Sequence, residues 1–125
     1  MRALLLALAL ASAAQAAEPV WNAQAAYQQA LGYRNGTGVA PDAAQAARLM
    51  EQAARAGLPQ AMFTLSNMLA AGEGVPRDKA AARRWLEQAA EAGHPAALQE
   101  LALREPDPRK AELLMRQAEH ALQHQ

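Results

Sequence analysis

The chain is 125 residues long, enough for one ordinary domain and too short for two. Twelve Lys and Arg balance twelve Asp and Glu, so no strong field exists to steer nucleic acid or an anionic membrane. The absence of cysteine excludes thiol catalysis, thiolate metal sites and disulfides. The apolar 52% is mostly alanine, with 35 Ala against 17 Leu, 3 Val and no Ile, a composition that favours helices over a β-rich fold.

The first sixteen residues read as an export signal. Arg2 provides a short positive start, Ala3 to Ala11 form an apolar run of nine residues, and Ala14-Gln15-Ala16 makes an A-x-A cleavage site. Nine apolar residues are too few for the ~20 that a helix needs to cross a ~30 Å hydrocarbon core, so the chain is not expected to span a membrane. Cleavage after Ala16 would leave a mature domain at 17–125, placed in the periplasm or secreted. A cysteine-free chain suits an oxidising compartment.

Within that domain the sequence repeats. Over the 26 residues from Gly36 to Ala61, fifteen recur at an offset of 36, among them Gly36/Gly72, Gly38/Gly74, Val39/Val75, Asp42/Asp78, Gly57/Gly93 and Pro59/Pro95. Shared alanines could be chance, but shared Gly, Asp and Pro are not, and a period in the mid-thirties marks a helical solenoid. A third copy is shortened: Asp107, Ala111, Leu114, Met115 and Ala118 reproduce Asp42, Ala46, Leu49, Met50 and Ala53, with the Gly-x-Gly-Val loop missing before them. The repeats run at about 23–57, 58–93 and 94–125, the last a truncated cap of the kind solenoid ends carry.

Each copy predicts two antiparallel helices. The second helix has apolar residues at i, i+3, i+4 and i+7, as in Ala82, Trp85, Leu86 and Ala89. Asp42, Asp78 and Asp107 stand at N-cap positions, with Gln45 completing a capping-box pattern after Asp42. Gly57 and Gly93 suit the left-handed position that closes these helices, and Pro59 and Pro95 start the next ones. Val39 and Val75 are placed to drop into the core. Trp85 reads as a buried anchor whose loss would cost ~3–5 kcal/mol.

The series Ala61, Phe63, Leu65, Ser66, Leu69, Gly72, Gly74-Val75-Pro76-Arg77-Asp78, Ala82, Trp85, Ala89-Ala90, Gly93 resembles the Sel-one-like repeat, a relative of the tetratricopeptide repeat. Gln29 and Ala30 depart from it where Leu and Gly are expected, as does Ser66 at the second Gly. The resemblance implies an all-α, short right-handed α-solenoid of antiparallel helix pairs, two full repeats and a truncated third, with a concave surface lined by the first helices.

Catalytic readings are weak. Ser66 is the only serine of the mature domain and lacks a nucleophile-elbow setting, and the Gly-x-Gly loops lack the Lys-Ser/Thr of a phosphate cradle. His120 and His124 are four apart on the last helix, without an evident third ligand, and positive charge at a helix C-terminus accounts for them equally well. His94 reads as a surface turn residue, and Arg77, Lys79, Arg83 and Arg84 as a solvated basic face. No cofactor or metal is expected.

The core of the second copy is expected to be Ala61, Met62, Leu65, Ser66 and Leu69, which turns Phe63, Thr64, Asn67 and Ala70 to the concave side. Tyr27, Gln28, Leu31 and Arg34 are their counterparts in the first copy, and Gln99, Glu100 and Leu103 in the third. An aromatic flanked by amides and hydroxyls suits a surface that anchors a peptide or loop. The expected function is therefore a non-enzymatic protein-binding module of the bacterial envelope. One version is an immunity or inhibitor protein with a single tight partner. The alternatives are a structural adaptor in an envelope or polysaccharide-export assembly, with self-association through its open ends, and, less favoured, a metal-dependent hydrolase using the terminal histidines.

Overall fold

A computed structural model of the protein describes residues 21–125 and, among these, contains six helices and no strand. They are α1 (Ala23–Asn35), α2 (Ala43–Arg55), α3 (Pro59–Ala71), α4 (Lys79–Glu91), α5 (Pro95–Arg104) and α6 (Pro108–Gln123). The signal-like segment at 1–16 lies outside the described residues. Each helix packs on its successor in the chain, so α1–α2, α3–α4 and α5–α6 form three stacked pairs.

The helix boundaries follow from local chemistry. Asp42 accepts a hydrogen bond from the Gln45 amide at 3.1 Å, Asp78 from the Ala81 amide at 3.0 Å, and Asp107 from the Arg109 amide at 3.0 Å. The reciprocal half of the capping box at Asp42 is not formed. The Asp42 amide instead donates 2.9 Å to the Tyr33 carbonyl, and the Asp78 amide does the same to Leu69. Asp42 and Asp78 thus each clamp the start of a second helix to the end of its own first helix, whereas the Asp107 amide donates 3.1 Å to the Glu105 side chain. At Gly57 and Gly93 the chain takes φ of 96° and 83°. The following amides reach back 3.2 Å and 3.0 Å to the carbonyls of Ala53 and Ala89, closing α2 and α4 by Schellman turns.

Alanine forms most of the interior. Met50, Met68 and Leu86 are the largest fully buried side chains, set among Ala30, Ala46, Ala53, Ala61, Ala89 and Ala97. Ser66 is buried with them, its hydroxyl donating 2.7 Å to the Ala82 carbonyl across the α3–α4 contact.

Burial differs between equivalent residues of different repeats, which corrects five expectations. Val75 packs on the core, but Val39 is 44% exposed because no repeat precedes it among the described residues. Met115 is 39% exposed where its counterparts Met50 and Leu86 are buried, because α6 is the last helix among the described residues. Thr64, expected to face outward, is buried with its hydroxyl donating 2.9 Å to the Gln60 carbonyl. Met68 is buried in its stead of Leu69, which is half-buried. The α3 helix lies between α2 and α4, so its buried arc is wider than that of a helix with one neighbour. Trp85 is half-buried on the core, and Leu86 occupies the enclosed position.

A Cβ at Gly74 would lie 2.0 Å from the Ala43 carbonyl oxygen at the start of α2, whereas one at Gly38 would meet nothing within 4 Å. Both glycines have positive φ, 72° and 77°. Gly38→Ala should therefore cost only the conformational penalty of about 1 kcal/mol, and Gly74→Ala roughly 3 kcal/mol through added overpacking, measured by urea unfolding. Leu86→Ala should cost roughly 3 kcal/mol and the half-exposed Trp85→Ala roughly 2 kcal/mol; thermal melts that reversed this order would contradict the packing.

Candidate interaction surface

The first helix of each pair carries the candidate residues at one repeated position. Tyr27 and Phe63 are half-buried on the core edge, while Gln99, at the third such position, is exposed. One position on, Gln28 is exposed, Thr64 buried and Glu100 half-buried. Asn67 is exposed, as is Leu103, at 84% the most exposed of the large apolar residues described. Leu31 is half-buried and Arg34 exposed. Residues at i and i+4 share one side of a helix, so Phe63 with Asn67, and Gln99 with Leu103, continue the stripe begun by Tyr27 and Leu31. Thr64 alone is removed from it by burial.

Two contacts brace the stripe. Arg34 Nε donates 2.9 Å to Glu73 Oε2, tying α1 to the loop that follows α3 in the next repeat. The Phe63 and His94 rings stack with centroids 4.8 Å apart and 26° between planes. His94 is thus half-buried, correcting its reading as a surface turn residue. Its Nδ1 also accepts from the Ala97 amide at 3.3 Å, capping α5 where Leu58, one repeat earlier, makes no side-chain cap. The replacement of Leu58 by His94 at this junction was a readable signal for a cap. The partner that stacks on it was not.

The other candidate groups are not gathered into a reactive site. Ser66 has its hydroxyl taken by a carbonyl in the interior. The His120 and His124 rings sit 4.2 Å apart, but His124 Nδ1 donates 2.8 Å to the His120 carbonyl, and no cluster of three or more His, Cys, Asp or Glu among the described residues could hold a metal ion. No helix among the described residues is long and apolar enough to cross a membrane.

Stacked helix pairs with capped turns, an alanine interior and a repeated exposed stripe define a helical-repeat scaffold. The Sel1 repeat profile matches residues 23–58 and 59–94, and the chain belongs to that family, whose repeats are generally protein–protein interaction modules. Among solved structures, a Sel1 repeat protein from Oxalobacter formigenes is similar with a TM-score of 0.76 and 27% identity, over 80% of this chain and 44% of its own. A protective antigen present in uropathogenic Escherichia coli strains, which displays an SLR fold, is similar with a TM-score of 0.71 and 34% identity, over 78% of this chain and 22% of its own. The chain therefore spans less than half of either. No curated protein matches it.

Burial lowers the His94 pKa from its ordinary 6.5. A base with a depressed folded pKa stabilises the fold fully above its unfolded value and less as pH falls through the folded one. Protonation at Nδ1 would also end the Ala97 cap. Stability should thus fall on acidification from about pH 7.5 to about pH 5.5, before most carboxylates titrate, and His94→Leu should flatten that dependence in urea unfolding at the two pH values.

Proposed function

We propose that this protein is an exported, non-catalytic scaffold that holds one protein partner against the stripe on its first helices. The observation that carries the reading is the exposed set Asn67, Gln99 and Leu103, in register with the half-buried rings of Tyr27 and Phe63, with exposed Gln28 one position on. Arg34 and Glu100 flank it with charge, each already held by one carboxylate or guanidinium, Glu73 and Arg104 respectively. Rigid aromatic edges give contact area at low entropic cost, and adjacent amides supply hydrogen bonds and direction. Export is supported by the Arg2 start, the short apolar run and the Ala14-Gln15-Ala16 site. A single tight partner would support its being an immunity or inhibitor protein.

An adaptor role in an envelope assembly is the second reading, favoured by apolar residues left uncovered at both ends of the described solenoid. Val39 is exposed at one end and Met115 and Leu122 at the other, surfaces that stacking of further copies or subunits would cover.

The test is affinity capture from envelope extract with the tagged protein beside an Asn67→Arg/Leu103→Glu variant. Both residues are exposed, so the variant should melt within about 0.5 kcal/mol of the parent. One dominant protein retained by the parent and lost by the variant is the expected result. Retention by both baits would remove the stripe from the binding site, and concentration-dependent self-association with no captured protein would favour the adaptor.

A further inference from the structure

A groove of about 730 Å³ opens on the opposite side of α5 from the stripe, between the C-terminal halves of α4 and α6. Leu98 and Leu101 form its floor, and Ala90, Leu114 and Ala121 line its walls. At 100° per residue, Leu98 and Leu101 project away from Gln99 and Leu103, so this surface is separate from the proposed partner site. Its volume falls in the range of about 300–1,000 Å³ common for binding sites, and its lining is mainly apolar with polar groups at the rim.

The repeat itself shows what kind of group fits there. Leu114 on α6 corresponds to Trp85 on α4, and Leu98 and Leu101 correspond to Met62 and Leu65. One repeat earlier the same position therefore carries an indole, which packs on the core. In the shortened third repeat a leucine replaces it and the groove stands open. The charge of the rim changes in the same comparison. The α2 edge has Glu51 paired with Arg55 at 2.8 Å. The equivalent α4 edge has Glu87, held by Arg83, and then Glu91 in place of Arg55, with no cation at ion-pair distance among the described residues. On the facing wall Arg116 is balanced by Glu112. The rim thus offers one uncompensated carboxylate beside an apolar slot.

We propose that this groove is a second docking site, which takes a tryptophan side chain presented next to a cationic residue on a partner protein. The indole occupies the space that Trp85 fills in the preceding repeat, and the cation pairs with Glu91.

Two probes test this on the intact protein by amide chemical-shift titration: tryptamine, which combines an indole with an ammonium group, and the peptide acetyl-Ala-Trp-Lys-Ala-amide. Tryptamine should bind with a Kd on the order of 1 mM, with shifts centred on Leu98, Leu101 and Leu114, and the peptide should bind more tightly. Glu91→Gln should weaken both by about two- to five-fold, the range of an exposed ion pair. Leu114→Trp should abolish binding and raise the Tm, because the chain's own ring then fills the groove. Should that variant not fold, Ala121→Leu narrows the same wall and must produce the same loss. The Asn67→Arg/Leu103→Glu change should leave the titration unaltered, which separates this site from the stripe. Non-saturating shifts, a Kd unchanged in a folded groove-filling variant, equal binding of anionic N-acetyltryptophan, or tryptamine binding without peptide binding would each overturn the proposal.

Discussion

Close approach of helices through alanine is the constraint on which this structure depends. With Ala46, Ala53, Ala61, Ala89 and Ala97 at the contacts, helix axes come near enough for a thin layer of methyl groups to exclude water. Each methyl buries little area, and the larger buried side chains, Met50, Met62, Leu65, Met68, Leu86 and Leu98 among them, are outnumbered by alanine. No single helix pair could therefore be stable alone. Stability comes from stacking each pair on the next, as expected of a quasi-one-dimensional solenoid.

Because side chains contribute little bulk, turns must be accurate. The Asp42 and Asp78 amides bonded to the carbonyls of Tyr33 and Leu69, together with their carboxylate caps, set the angle between paired helices. Gly74 then lets the second repeat's loop lie directly on the Ala43 backbone, a contact too close for any side chain. The His94–Phe63 stack does comparable work at the junction with the shortened third repeat, and it makes that junction sensitive to protonation.

The same geometry explains why the surface is divided as it is. First helices turn one side to the core and present the other, so a 36-residue period places Tyr27, Phe63 and Gln99 along a common stripe. Second helices close over them, and where the third repeat substitutes Leu114 for the tryptophan position, the closure is incomplete and the α4–α6 groove results. As the last helix among the described residues, α6 leaves Met115 and Leu122 exposed, with the recess behind it.

The sequence by itself determined the helices, their caps and their pairing, because those depend on neighbours a few residues away. Asp42, Asp78 and Asp107 cap, Gly57 and Gly93 terminate, and Pro59 and Pro95 initiate wherever they occur. Two copies of one motif also implied the stacking. What only the tertiary structure decided is how equivalent positions differ. Gln28 and Thr64 share a repeat position, yet one is exposed and the other buried, and Val39 is exposed where Val75 is packed. The stacking of His94 on Phe63 and the recess beside Leu114 were equally illegible. Burial in a solenoid is set by whether another repeat lies alongside, a relation between residues dozens of positions apart that no local pattern encodes.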